Sequence, residues 1–156
     1  PTVGLGLILY LFLSKTGPLG IFQLLYTPTA VILGQAVLIT PIAVSFTTNA
    51  VESVELEIRD LAKTLGASEV EARLAVLKEV FPSTILAVIA SFNRAIAELG
   101  IALMLGGSIP RLTRVLTTSI ALETTRGNFE LGIALTIILL TIVFTLSFLV
   151  NLLKRE

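Results

Sequence analysis

The chain has 156 residues, of which 54% are hydrophobic and 14% charged, against about 25% charged in typical soluble domains. Eleven basic and eleven acidic residues cancel to a formal net charge of zero, so no global attraction draws the chain to nucleic acid. It contains neither Cys nor His, which excludes disulfides, thiolate and imidazole metal sites, and Ser-His or Cys-His catalysis within it.

Two low-charge runs, 27–51 and 131–153, are each long enough to cross a bilayer core, which takes about 20 residues. A soluble domain of this size could not bury them. The expected fold class is an all-α integral membrane protein, a single multi-span transmembrane domain over 1–156. The chain begins at Pro1, already in apolar sequence, without the basic, apolar and small-residue layout of a signal peptide. Residues 2–13 are therefore expected to be the end of a span whose start precedes Pro1, with the N-terminal part missing.

Residues 14–27, with Lys15, Gly17-Pro18 and Gly20, read as a connecting loop with a short turn around 21–26. Pro28 suits the first position of a helix, and the second span is expected over 28–51. Pro41 in its middle removes one backbone hydrogen bond and predicts a bend, read either as a gating hinge or as a static kink.

Residues 52–82 then carry 11 of the 22 charged residues between apolar flanks. Apolar residues recur there at helical spacing: Val54, Ile58, Leu61 and Leu65, then Val70, Leu74, Leu77 and Phe81. Gly66 suits the left-handed position that ends a helix, and Ser68-x-x-Glu71 reads as a capping box that opens the next. Two amphipathic helices joined by a tight turn are predicted. A third span is expected over 83–105, starting after Pro82 and broken by Gly106-Gly107-Ser108-Ile109-Pro110. The hydroxyl-rich stretch 111–126 is too short to cross lipid and predicts a short helix ended by Gly127-Asn128. The last span covers 129–153.

Lys154-Arg155 after that span place the C-terminus in the cytoplasm by the positive-inside tendency. The 52–82 loop, two spans earlier, is then cytoplasmic as well. Six basic residues fall on that side and four, Lys15, Arg111, Arg114 and Arg126, on the other. A DNA-binding reading of the helix–turn–helix loop fails on charge, because seven acidic residues outnumber four basic ones where phosphates must be neutralised. Two readings stay open: helices lying on the membrane surface, or a docking surface for a cytosolic protein. The acidic balance favours the protein partner, since membrane-surface helices usually present a basic face.

Asn93, Arg94 and Glu98 lie near the middle of the third expected span, where ionisable groups are costly and face a partner or an aqueous cavity. Arg94 and Glu98 are four apart and can pair along a helix. They read either as part of an anion pathway or as a structural ion pair. Gly106 and Gly107 are a candidate gate or an ordinary helix end. The hydroxyls from Thr113 to Thr125 either line a polar passage or satisfy backbone groups. No G-x4-G-K-[ST] nucleotide signature is present.

Asp60-Leu61-Ala62-x-x-x-Gly66, followed by an amphipathic helix containing Val76 and Pro82, resembles the EAA loop of ABC importer permeases. The family pattern is E-A-A-x3-G-x9-I-x-L-P; Asp60 and Leu61 replace the first two letters and the proline arrives three residues late. NRAIAELGIALMLGGSI, TRVLTTSIALETTRGNFELGIAL and PTVGLGLILYLFLSKTGPLG extend the likeness over nearly the whole chain, to tungstate-type permeases related to the molybdate and sulfate systems. The resemblance implies a type I ABC importer permease that carries an oxyanion, most closely tungstate, with at least one further span before Pro1. It is not itself an enzyme and needs no cofactor. The implied partners are a cytosolic ATPase subunit, an extracellular or periplasmic substrate-binding protein, a second permease copy forming a homodimer, and membrane lipid. It further implies that Arg59, Asp60, Leu61, Ala62, Lys63, Leu65 and Gly66 couple to the ATPase, with Val54, Ile58, Leu61 and Leu65 as the buried stripe. From the residues alone, a gradient-driven transporter with Arg94–Glu98 as its coupling pair, or a membrane scaffold with an acidic docking loop, are the alternatives.

Overall fold

The computed structural model describes residues 2–153; Pro1, and Lys154 and Arg155, on which the expected orientation rests, lie outside them. Helices α1 (Thr2–Leu13), α2 (Pro28–Glu52), α3 (Glu55–Thr64), α4 (Glu69–Ile96), α5 (Gly100–Gly106), α6 (Leu116–Thr125) and α7 (Phe129–Leu153) follow one another without a strand among the described residues. A single 3-10 turn, Gly20–Phe22, lies in the loop after α1. The expected all-α class is thus the class observed. Stretches within α2, α4 and α7 are long and apolar enough to cross a membrane.

The helix starts follow from local chemistry. Thr27 caps α2, its hydroxyl accepting from the Ala30 N–H at 3.3 Å, with Pro28 in the first turn. At the start of α4 the Ser68 N–H donates to Glu71 Oε2 at 2.8 Å and the Glu71 N–H to Ser68 Oγ at 3.4 Å. Both partners of the capping box are in place, so two otherwise unpaired N–H groups are satisfied.

From that cap the helix continues for 28 residues, straight through Pro82. Pro82 does not begin a helix, and the stretch 83–105 lies on two helices, α4 and α5. A proline deletes one rung of the ladder, which a helix tolerates where its surroundings absorb the loss. The break falls instead between Ile96 and Gly100. There Glu98 Oε1 accepts from the N–H groups of Gly100 (2.8 Å) and Ile101 (3.4 Å), and Thr117 Oγ1 donates to the Glu98 carbonyl (3.0 Å). Those bonds replace helical ones at the turn between α4 and α5.

The short α5 is the centre of the packing. It lies against α1 and α2, and its Ile101 and Leu105 join Leu13 and Ala30 in the buried cluster, with Leu9, Leu24 and Leu38 around it. Close approach is possible because α2 carries Gly34, where a Cβ would stand 2.5 Å from Leu105 Cδ1 and 2.6 Å from Ile101 Cγ2. Between helices in lipid, such contact rather than dehydration supplies the attraction. The Tyr26 N–H donates to the Leu105 carbonyl at 2.8 Å, which ties the loop before α2 to the end of α5. Helices α6 and α7 form a hairpin, while α4 packs on α2, α3 and α7.

The apolar stripes of residues 52–82 do not all face inward. On α4, Ala72, Val76 and Val80 are buried, while Val70, Leu74, Leu77 and Phe81 are between 51% and 68% exposed. On α3, Val54 and Ile58 are half-buried, whereas Leu61 and Leu65 are 57% and 80% exposed. The packed positions on α4 are thus Ala72, Val76 and Val80, and the larger apolar residues stand outward.

Candidate functional site

The α3–α4 elbow is built from its turn outward. Gly66 has φ +89, and around it the Ala67 N–H donates to the Ala62 carbonyl and the Gly66 N–H to the Lys63 carbonyl, both at 3.0 Å. These are the two bonds of a Schellman motif, which needs a left-handed residue at this position. A Cβ on Gly66 would meet nothing within 4 Å. Conformation, not space, selects glycine here.

Electrostatics then fix the angle between the helices. Glu69, at the start of α4, bonds the Arg59 guanidinium, lies 2.6 Å from Lys63 Nζ and 3.4 Å from Arg73 Nε. Beside the Lys63 ammonium and the Arg59 guanidinium, its carboxyl falls from the ordinary 4.5 to about 2. The Ser68 backbone N–H and hydroxyl likewise hold the Glu71 carboxyl below the usual range. Arg59 and Lys63, which the sequence offers as contacts to a partner, are thus both engaged within the chain. Asp60, Leu61, Leu65 and Gly66 stand exposed, and Ala62 is half-buried. What the elbow leaves exposed are the apolar side chains of Leu61, Leu65, Leu74 and Leu77, around a Glu69-centred ion cluster. Glu69 had no sequence role assigned; its position one residue after the capping serine was the available signal, since acidic side chains favour a first helical turn.

Of the three polar residues expected together on the third span, two meet. Arg94 Nη1 donates to Glu98 Oε2 at 3.0 Å. The Glu98 side chain is only 3% exposed, that of Arg94 43%. Because Glu98 Oε1 already caps α5, both carboxylate oxygens are committed, and the pair holds the α4–α5 break in place. Asn93 turns elsewhere: its Nδ2 donates to Ser147 Oγ on α7 at 3.1 Å, and its Oδ1 is buried without a partner.

Gly106 and Gly107 end α5 against close neighbours. A Cβ on Gly106 would lie 2.8 Å from Val31 Cγ2, and one on Gly107, which has φ +67, 2.8 Å from the Tyr26 ring. The hydroxyls that follow serve backbone groups. Thr113 Oγ1 donates to the Gly106 carbonyl and accepts from the Ile109 N–H, and Thr118 Oγ1 accepts from the Val115 N–H at 3.0 Å. Thr124 and Thr125 donate to carbonyls one turn back. Glu123 and Arg126 pair at 3.1 Å.

Between α2, α5, the 111–115 segment and α6 lies a cavity of about 760 Å³. Gln35, Glu98, Arg111, Arg114 and Ser119 supply its polar groups, and Val31, Ala102 and Leu139 part of its apolar wall. Sequence reasoning had placed Arg111 and Arg114 in a short helix on the side opposite the cytoplasm and had given Gln35 no role. A lone glutamine in an apolar span was the signal that could have singled it out.

The family model described as binding-protein-dependent transport system inner membrane component matches residues 1–156. The tungstate uptake system permease protein TupB of Peptoclostridium acidaminophilum is 38% identical over 156 residues, which are all of this chain and 68% of that protein. TupB of Campylobacter jejuni is 41% identical over 155 residues, 99% of this chain and 65% of that protein. A probable anion ABC transporter permease protein of Haloferax volcanii is 43% identical over 148 residues, 92% of this chain and 64% of that protein. The chain thus spans about two thirds of the length of these relatives. No solved structure matches it.

Proposed function

Because the chain belongs to the family of binding-protein-dependent transport system inner membrane components, we propose that it is the multi-pass membrane subunit of an ATP-driven importer for a tungstate-type oxyanion. Two relatives are named tungstate uptake permeases and a third an anion permease, which supports the substrate class. ATP hydrolysis takes place on a separate cytosolic subunit, an extracellular or periplasmic protein delivers the anion, and two permease copies form the pathway.

The observation that carries this reading is the α3–α4 elbow. A rigid lever must keep its angle under load and present an apolar face to its partner. The Schellman turn at Gly66 and the Arg59–Glu69–Lys63 cluster supply the first requirement. Exposed Leu61, Leu65, Leu74 and Leu77 supply the second, with Asp60 at the rim. The EAA-like segment thus engages the ATPase through Asp60, Leu61, Ala62 and Leu65, while Arg59 and Lys63 act by holding Gly66's turn. A gradient-driven carrier would need a carboxylate free to exchange its proton or ion. Both oxygens of Glu98 are occupied by Arg94 and by the start of α5, which weighs against that reading.

The test is reconstitution of the permease with its ATPase, measuring ATP hydrolysis in the presence of binding protein loaded with tungstate, molybdate or sulfate. Stimulation by one loaded form and not by the empty protein is the expected result. A permease that copurifies with no ATPase would exclude the reading.

A further inference from the structure

We propose that the cavity between α2, α5 and α6 is a transient oxyanion site on the translocation path, with Arg111, Arg114 and Gln35 as its contacts. This rests on the importer reading and names where within the chain the anion pauses. Four observations converge. First, the cavity holds about 760 Å³, room for a tetrahedral dianion that keeps part of its water. Second, its charge is positive. Arg111 and Arg114 both line it, whereas the one lining carboxylate, Glu98, has spent one oxygen on Arg94 and the other on the N–H groups of Gly100 and Ile101.

Third, two of the lining groups have unused hydrogen-bonding capacity. Among the described residues Arg111 makes no ion pair and no side-chain hydrogen bond. Gln35 Oε1 is buried without a partner, and no hydrogen bond among the described residues uses the NH2 donors of this lining amide. Fourth, the backbone is held to present these groups. Arg111 has φ +61 and Ser108 φ +51, conformations that side-chain-bearing residues seldom adopt. Arg114 Nε and Nη2 both donate to the Ser108 carbonyl at 3.2 Å, leaving its remaining donors for the cavity.

A planar guanidinium matches the oxygen edges of a tetrahedral oxyanion. The apolar walls, Val31 and Leu139 among them, strengthen its field relative to open water. Transport also needs release. One unrestrained arginine, one tethered arginine and one neutral amide form a set that holds the anion briefly.

The test uses permease, ATPase and binding protein reconstituted in proteoliposomes, with tungstate uptake and ATP hydrolysis measured on the same vesicles. Arg111→Gln is the first variant, because among the described residues the side chain makes no ion pair and no hydrogen bond. The number of tungstate ions delivered per ATP is expected to fall about tenfold, the loss of one charge-assisted contact. Arg111→Lys should restore part of it, and Gln35→Leu should lower it about threefold. Unchanged uptake per ATP in the Arg111→Gln/Gln35→Leu double variant would overturn the site. A lower ratio that Arg111→Lys does not improve would overturn the role of charge. Wild-type vesicles report separately on the importer reading: if they take up no oxyanion, both proposals fall, whereas uptake by wild type with unaffected variants removes the site alone.

Discussion

Replacing Glu98 by leucine measures how much of the α4–α5 break depends on one carboxylate. The substitution removes the partner of Arg94 and the acceptor of the Gly100 and Ile101 N–H groups. The side chain is 3% exposed, so the abandoned donors cannot all turn to water. Breaking a buried ion pair by deleting one partner costs about 3–5 kcal/mol. Arg94 is partly exposed and recovers some hydration, so the lower part of that range applies, about 3 kcal/mol. At roughly 2–4 °C per kcal/mol, the melting temperature of the solubilised, assembled permease should drop by about 10 °C. Glu98→Gln keeps an acceptor for the two N–H groups but turns an NH2 toward Arg94, losing that bond with the charge, and should cost about 1–2 kcal/mol. Thermal unfolding followed by circular dichroism distinguishes the three proteins. An unchanged melting temperature in Glu98→Leu, with transport lost, would refute the structural assignment and return the pair to the pathway.

Other outcomes follow from the same geometry. Gly66→Val meets no neighbour but forces a β-branched residue to φ +89, a strain of about 1–2 kcal/mol; membrane insertion should be normal while transport per ATP falls. Gly34→Leu drives side-chain atoms into Leu105 and Ile101, which already lie 2.5 and 2.6 Å from a bare Cβ, and should destabilise the fold by about 3 kcal/mol or more; assembled yield on size exclusion reads this directly. Acid should loosen the elbow. The Glu69 carboxyl is lowered from 4.5 to about 2 in the folded chain, so its contribution is present above 4.5 and is lost as pH falls towards 2. The protection of α3 amides, taken relative to their intrinsic exchange rates, should fall across that window in wild type, and Glu69→Gln should show lower protection already at neutral pH. If the two proteins exchanged alike at neutral pH, the Glu69 cluster would have no part in setting the elbow.

What the sequence revealed, and what it hid, have physical causes. Local turn chemistry was legible: Thr27-Pro28 starts α2, Gly66 ends α3 in a left-handed turn, and Ser68 with Glu71 caps α4. These features depend on residues within a few positions of one another. Pro82 misled because proline marks a boundary only where the helix has nothing else to support it; α4 is flanked by α2, α3 and α7 and runs on. The stripe Val70–Leu74–Leu77–Phe81 located the helix but not its packed face. On α4 the packed face is Ala72, Val76 and Val80, chosen for size. Arg94–Glu98 was visible at helical spacing, yet its use in capping α5 depends on a break no local signal announces. Arg111 and Arg114 lie three apart in one segment, but Gln35 joins them only in the folded chain.

The central claim is that ATP hydrolysed on a partner subunit drives an oxyanion through this membrane domain. The most direct measurement is tungstate accumulation in proteoliposomes holding permease and ATPase, with loaded binding protein on the delivery side. The account predicts uptake that requires ATP on the ATPase side, stops when it is removed, and persists when an ionophore collapses ion gradients. Uptake that continued without ATP and disappeared with the ionophore would contradict it.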